Sequence, residues 1–507
     1  MVPMSLIRSS LLVGFGSIAS RILGFVRDVL FAQVLGAGPV ADAFLTAFRL
    51  PNLVRRIVGE GGLNPALVPP LSRMEPKEAA ALAGDVIGAS ALALLGLTAL
   101  VEIGAGLVAL LLAPGLRDDG ETLALVALYT RLSFPIVLSV TLSSVAAAIL
   151  NMRGRYGATA LAPLTVNAGL ILTLVVLETG FSLPVDAKAA WLSAASSVAG
   201  FIQLLAVLAA LRQGGDMLVH VRRPRWSPAL KNLLLAGFPA LVASGAVQLF
   251  MLAGTQVASF WPSGISWLYY AERVMQLPLG LMAALGAGVL LPELARHHQA
   301  GETEAIVSAQ HRALEMALLL ALPAGAALLI LSFPITTVLF ERGAFQPADS
   351  EGTARALASL SLGLPFAAAG KVLSQTLFAR GALRETIAGA VLGILVTLAG
   401  GMVLASLWGP SGIALGISLG CAAHAAALAW LLDRAGLWRP DRRFLGRLIR
   451  IGLSTAVMSL GLWGAQGILA PTHGLSLAAF CLGGLALYAF AAWLTGAVTR
   501  DDLSAFR

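Results

Sequence analysis

The chain has 507 residues, of which 58% are hydrophobic and 12% charged, with a mean hydropathy of +0.86. Soluble domains carry about a quarter of their residues as charges, so this composition excludes an ordinary water-soluble enzyme and points to lipid as the solvent. The formal net charge of +8 is read as arginines placed on the cytoplasmic side of a membrane, not as a nucleic-acid surface.

A membrane-crossing helix needs about 20 apolar residues. Hydropathy and helix breakers predict about fourteen spans, with approximate centres at residues 20, 53, 98, 135, 168, 201, 243, 280, 320, 365, 395, 422, 456 and 485. The apolar N-terminal stretch holds Arg21, Arg27 and Asp28 and reads as a retained first helix, not a cleaved signal. With a cytoplasmic N-terminus, 21 of the 34 basic residues fall in inside segments and 3 outside. That asymmetry predicts both termini in the cytoplasm and an even number of spans, because one missed helix would invert every later loop.

Short matches separate the chain into similar halves. Pro69-Pro70-Leu71-Ser72-Arg73 resembles Pro292-Glu293-Leu294-Ala295-Arg296, and Leu150-Asn151-Met152-Arg153-Gly154 resembles Leu377-Phe378-Ala379-Arg380-Gly381. Six spans separate the partners of each pair, which predicts parallel lobes related by a pseudo-two-fold along the membrane normal. The fold expected is an all-α polytopic membrane protein with two pseudo-symmetric six-helix lobes, residues 1–212 and 213–436. Two extra C-terminal spans follow, in 437–507.

Ten basic residues remain in or at the ends of spans: Arg21, Arg27, Arg49, Arg55, Arg56, Arg131, Arg273, Arg312, Arg355 and Lys371. Charges at such depth must face protein or water. Arg131, Arg312 and Arg355, near span ends, read as structural pairs or snorkelling side chains, and Asp28 is placed to pair with Arg21. In span two, Arg49, Asn52, Arg56 and Glu60 share one helical stripe that Asp42 extends upstream. Pro51 and the run Gly59-Glu60-Gly61-Gly62 are expected to kink or unwind that helix. Guanidinium groups offer forked donors matched to phosphate oxygens, so five arginines in spans one and two, with Arg273, predict a cavity between the lobes for an anionic, phosphate-bearing substrate.

Other patterns carry less chemistry. Gly14-Phe15-Gly16-Ser17-Ile18-Ala19 fits a dinucleotide fingerprint without a preceding strand, and Gly416-Ile417-Ser418-Leu419-Gly420 imitates a nucleophile elbow. Both read as small-residue helix packing, the second as part of a Gly412, Gly416, Gly420 ladder. Cys421 and Cys481 sit in apolar runs and suggest no disulfide, the six histidines have no metal-ligand spacing, and no GK[ST] phosphate loop is present.

The stretch Ser20-Arg21-Ile22-Leu23-Gly24-Phe25-Val26-Arg27-Asp28 is followed by Gly36-Ala37-Gly38, Ala41-Asp42-Ala43-Phe44 and Phe48-Arg49-Leu50-Pro51-Asn52-Leu53. Arg55-Arg56 then precede Gly59-Glu60-Gly61. This block resembles the MurJ (MviN) family of lipid II flippases. The likeness continues through Tyr270-Ala271-Glu272-Arg273, Leu277-Pro278, Gly280 and Phe340-Glu341-Arg342-Gly343-Ala344-Phe345. It implies a fourteen-helix fold of the MOP transporter superfamily and flipping of an undecaprenyl-diphosphate-linked peptidoglycan precursor, lipid II, across the bacterial inner membrane. The flip, from the cytoplasmic to the outer leaflet, would run by alternating access with no chemical bond changed. By the same resemblance Arg27, Arg55 and Arg273 are expected to hold the diphosphate. Arg21, Asp28, Asp42, Arg49, Arg56 and Glu60 match other functional positions, and Asn167 matches a cavity-lining asparagine. The helical wheel favours Arg56 where the resemblance favours Arg55.

Partners implied are lipid II, membrane lipids and cell-wall synthesis enzymes; no cofactor is implied beyond coupling to membrane potential or a monovalent ion. Some relatives place sodium near span seven and the turn after span ten. Here span seven reads Phe250 and Gly254, and the turn after span ten lacks the usual aspartate, so that site is not expected. Alternatives left open by the residues are a flippase of another polyprenyl-linked glycan, an ion-coupled MOP-type carrier, and an enzyme acting on polyprenyl phosphates. The last would need an acidic or metal-binding cluster.

Overall fold

The protein is described from a computed structural model, which describes residues 4–57, 74–152, 154–212, 231, 246–469 and 471–498. Among the described residues every regular element is helical. They form two compact units, Met1–Gln248 and Leu249–Arg507.

In the first unit, α1 (Met4–Leu35) turns into α2 (Pro39–Ile57) through a short link that holds Gly36 and Gly38 at φ of 66° and 144°. Glycine alone takes both values without strain. There follow α3 (Pro76–Ile103), α4 (Ala105–Leu112), α5 (Gly120–Ser133), α6 (Pro135–Met152), α7 (Gly157–Gly180) and α8 (Val185–Arg212). Asp119 caps α5, accepting the Thr122 backbone N–H at 3.0 Å. Ala83, Val86, Ile149, Leu150 and Val207 centre the apolar core that joins α3, α6 and α8.

The second unit holds all but the first three residues of α9 (Ala246–Ala258), then α10 (Gly264–Ala300), α11 (Thr303–Ile330), α12 (Ser332–Phe340), α13 (Pro347–Ser361), α14 (Leu364–Ala379), α15 (Leu383–Trp408), α16 (Pro410–Arg434), α17 (Arg442–Ile468) and α18 (Gly474–Thr495). Among the described residues nine helices are long and apolar enough to cross a membrane, ten when α13 and α14, bent by 44°, count as one broken span. Four charges interrupt the 19 residues of α2, Asp42, Arg49, Arg55 and Arg56, which is why that helix falls outside the set. The expected span near residue 243 lies mostly outside the described residues.

Two local devices recur in the two units. The turn after α6 places Gly154 at φ 71°, with Arg155 N–H bonded to the Leu150 carbonyl at 3.0 Å; the turn after α14 places Gly381 at φ 70°, with Ala382 N–H bonded to the Leu377 carbonyl at 2.9 Å. Each is the glycine-terminated helix end that closes the last orphan carbonyls, so the sequence match between these segments is realised as one geometry. The second device lies at a helix break. Ser197 Oγ of α8 donates to the Leu132 carbonyl at 2.6 Å, beside Phe134-Pro135. In the other unit Gly363 N–H turns back to Leu360, and the freed Ser359 carbonyl accepts from Ser418 Oγ of α16 at 2.7 Å. A hydroxyl from a neighbouring helix thus satisfies a carbonyl that the break leaves open.

The glycine ladder does what its spacing suggests. An added Cβ on Gly416 would stand 2.5 Å from the Gly401 Cα, while Gly412 lies against the Leu404 carbonyl and Gly420 against Thr397. In lipid, where apolar side chains gain little by leaving their solvent, such backbone approach supplies the packing energy. Gly416→Ala is therefore expected to cost about 1–3 kcal/mol through overpacking. Thermal melting in detergent checks it, with Gly452→Ala on the open face of α17, where an added Cβ meets nothing within 4 Å, expected to melt like the parent protein. A Cβ added on Gly16 would likewise stand 2.5 Å from the Ala160 carbonyl oxygen, so the dinucleotide-like pattern is an α1–α7 contact.

Candidate functional site

In the first unit the site is built around one arginine. Arg27 and Asp28 sit two turns from the end of α1 and are 4% and 2% exposed. The Arg27 guanidinium donates from Nε and Nη2 to Asp28 Oδ1 at 3.0 and 2.7 Å, and from Nη1 to Asn167 Oδ1 of α7 at 2.9 Å. Asn167 is itself held: its Nδ2 donates to the Ser20 carbonyl at 3.1 Å, two helical turns before Arg27. The amide therefore clamps α1 at two points and has its orientation set by both.

The rings of Phe31 and Phe48 lie 5.4 and 5.5 Å from the guanidinium carbon, and Phe44 packs against both rings. Aromatic faces stabilise a cation without neutralising it. The result is a forked donor fixed in an apolar box and balanced, among the described residues, by the Asp28 carboxylate. Three of its five N–H groups are engaged by these bonds. Oxygens of a phosphate group offer the same acceptor chemistry as the Asp28 carboxylate.

The structure corrects one expected pairing. Asp28 binds Arg27, not Arg21, which lies on an exposed face of α1. Consecutive helical residues usually diverge, but the long arginine side chain curls back to its neighbour. Along α2, Asp42 occupies the first turn and is 4% exposed, where the positive end of the helix dipole favours a carboxylate. Arg49 is half-buried; Asn52 is 8% exposed, with Nδ2 lacking a hydrogen-bond partner among the described residues. The helix runs unbroken through Pro51 to Ile57, so no unwinding occurs at the proline. Arg55 and Arg56 belong to its last turn, and their side chains lie outside those described, as does Glu60 entirely.

In the second unit, Arg273 of α10 is 8% exposed, its guanidinium carbon 4.3 Å from the Tyr269 ring centroid. Nη1 donates to Gln276 Oε1 at 3.2 Å, and Gln276 Nε2 donates to Glu272 Oε1. Tyr270, beside them in sequence, serves a different purpose. Its ring lies 5.3 Å from both Phe340 and Phe345. The two quoted motifs of this half thus meet in one aromatic cluster, which fixes the start of α10.

Span-end arginines behave as structure: Arg131 Nε donates to the Glu102 carbonyl at 3.2 Å, and Arg355 pairs with Glu351 one turn away on α13. Ser418, the elbow-like serine, is committed to the Ser359 carbonyl and packed under Gly363. Among the described residues no three His, Cys, Asp or Glu side chains converge as a metal set.

Arg447, counted with the arginines of the inside segments, has a partner that the sequence reading missed. Arg447 of α17 bonds Glu315 of α11 at 2.6 Å and, through Nε, the Ala497 carbonyl beyond α18 at 3.1 Å. Beside it His311 stacks on Phe444, ring centroids 4.7 Å apart. The available signal was the position of Arg447, one turn inside the helix and not at its mouth.

A family model described as "Lipid II flippase MurJ" matches residues 31–482. A protein of Rhizobium meliloti (strain 1021), "Probable lipid II flippase MurJ", is 35% identical, covering 96% of this chain and 93% of its own. One of Burkholderia cenocepacia, "Lipid II flippase MurJ", is 30% identical over 94% and 95%. Among solved structures, "Lipid II flippase MurJ, inward closed conformation" aligns with a TM-score of 0.78 at 22% identity, covering 96% of this chain and 98% of that one. A multidrug resistance MATE family transporter of the MOP superfamily aligns at 0.68 with 16% identity, over 82% and 95%; these two likenesses show the fold. Matched through nearly its whole length, the chain belongs to the lipid II flippase MurJ family.

Proposed function

We propose that this protein flips lipid II from the cytoplasmic to the outer leaflet of the bacterial inner membrane by alternating access, making and breaking no covalent bond. The observation that carries the reading is the buried Arg27 fork, held by Asp28 and Asn167 between Phe31 and Phe48, in a chain whose relatives are named for that activity. Arg27, Arg55 and Arg273 neutralise the diphosphate; Arg21, Asp28, Asp42, Arg49, Asn52, Arg56, Glu60 and Asn167 shape the polar surface around it. Residues 1–212 and 213–436 act as the two moving lobes, with 437–507 as an accessory helix pair. Both termini face the cytoplasm, and cell-wall synthesis enzymes supply and consume the substrate. Membrane potential biases the reset of the cationic site, at about 2.3 kcal/mol per charge per 100 mV.

The test is depletion of the protein in its host with leaflet-resolved labelling of the lipid-linked precursor. The expected result is accumulation on the cytoplasmic side, reversed by the intact gene. An unchanged distribution in a strain with no second flippase defeats the reading.

A further inference from the structure

Four helices of the second unit meet at one histidine that the substrate site does not use. His424 of α16 is 3% exposed, and its ring stands edge-on to Phe250 of α9 with centroids 5.4 Å apart. Glycines make the room for it. A Cβ on Gly370 of α14 would lie 3.0 Å from the ring Cδ2, and one on Gly389 of α15 would lie 3.4 Å from Nδ1. Gly393, one turn further, leaves the same space for Phe250, whose Cζ would be 2.6 Å from a Cβ there. Leu428 closes the side next to Gly389.

The pocket fits the imidazole but does not satisfy it. Nδ1 makes no hydrogen bond of good geometry among the described residues, and the backbone of Gly389 is the polar group beside it. The described part of α9 carries no charged residue. Lys371 on α14, and Arg384 and Glu385 at the start of α15, are exposed. Asp349, Glu351 and Arg355 belong to α13, Glu272 and Arg273 to α10, and Asp433 and Arg434 close α16, both exposed. His424 forms no ion pair with any of these among the described residues. An imidazolium in this packing would be an uncompensated buried charge, so the arrangement holds the neutral ring.

We propose that His424 is a proton-binding site. A proton from solvent is taken up on a ring nitrogen when the pocket formed by Phe250, Gly370 and Gly389 opens, and it is returned when the pocket recloses. Protonation thereby favours a conformation of the second unit other than this one. The proposal rests on the flippase reading for its purpose, coupling the transport cycle to a proton, but not for its test.

Cys421, one turn before His424 on α16 and 1% exposed, is a native reporter of that opening. In a Cys481→Ser background, the full chain is reconstituted in phosphatidylcholine vesicles without substrate, at zero membrane potential, and labelled with N-ethylmaleimide. Rates are divided by those of His424→Phe and His424→Gln at the same pH, which cancels the thiol's own titration. The ratio is expected to rise roughly threefold or more between pH 8 and pH 6, where an exposed histidine is mostly protonated. A ratio that is the same at both pH values, whatever its size, makes His424 a packing residue and overturns the proposal; two variants are used so that failure of one to insert leaves the other to decide. Flipping assays separate the two readings. A parent protein that flips with a pH-dependent rate beside variants that flip with a flat profile supports both. A parent that flips at no pH removes the flippase reading and leaves the Cys421 ratio to decide the proton site.

Discussion

Arg27→Ala is expected to abolish flipping of the lipid-linked precursor while the protein still inserts. Truncating one partner of a buried, hydrogen-bonded charge pair costs about 2–5 kcal/mol, so a loss of at least about thirtyfold follows from the substrate contact alone. Alanine also removes the Arg27 fork from Asp28, a carboxylate 2% exposed, and losing one partner of a buried ion pair weakens folding as well. Arg27→Gln with Asp28→Asn removes both charges together and keeps two neutral hydrogen-bonding side chains. It is expected to fold like the parent protein and still fail to flip. Arg27→Lys tests the fork itself: an ammonium is a point charge that cannot hold Asp28 and Asn167 in the planar geometry of a guanidinium, so partial activity, reduced about tenfold or more, is expected. Leaflet-resolved labelling in reconstituted vesicles, beside a folding control in detergent, reads all three. Normal flipping by the inserted Gln/Asn double variant would remove Arg27 from the substrate site.

What the residue pattern disclosed, and what it hid, follows from the range of each interaction. The turn at Leu150–Gly154 and its counterpart at Leu377–Gly381 were legible because a glycine-terminated helix end is a property of five consecutive residues. The Gly412, Gly416, Gly420 ladder was legible for the same reason: four-residue spacing puts the gaps on one face, whatever helix fills them. Arg27 stood out because a charge in an apolar run demands a reason. Its partners did not stand out in the same way. Asn167 lies 140 residues away in sequence, and only the family resemblance marked it. Asp28 was assigned to Arg21 because the helical wheel places side chains by Cβ direction and ignores the reach of a long side chain doubling back. Pro51 and the run Gly59-Glu60-Gly61-Gly62 were expected to kink or unwind α2; the glycine run lies outside the described residues, and at Pro51 the helix continues because proline removes one N–H and leaves the rest of the ladder to its neighbours. Arg447 was counted among the arginines of the inside segments, since the inside excess of basic residues explains such a charge before any partner is sought.

That last residue supports the second large effect. Arg447 is 13% and Glu315 8% exposed at the side chain, and their 2.6 Å contact joins α17 to α11, with the Ala497 carbonyl as a third partner of the same guanidinium. Tyr488 of α18 adds a bond from its hydroxyl to the Leu319 carbonyl at 2.7 Å. The accessory helix pair is thus fastened to α11 by polar groups in a region where apolar contact with lipid is as favourable as apolar contact with protein. Arg447→Ala is expected to destabilise the protein by about 3–5 kcal/mol, because it leaves Glu315 as a buried charge without a partner. Replacing both partners, Glu315→Leu with Arg447→Met, removes the pair's desolvation penalty along with its attraction, and is expected to cost less than the single change. Some loss remains, since the Ala497 carbonyl then lacks its donor. The measurement is a double-mutant cycle by thermal melting in detergent, with limited proteolysis of the segment between α16 and α17 as the local readout. A strongly negative coupling, with the double variant more stable than Arg447→Ala, identifies the pair as the fastening of the helix pair. Single changes that add within about 0.5 kcal/mol would show two independent side chains that happen to touch.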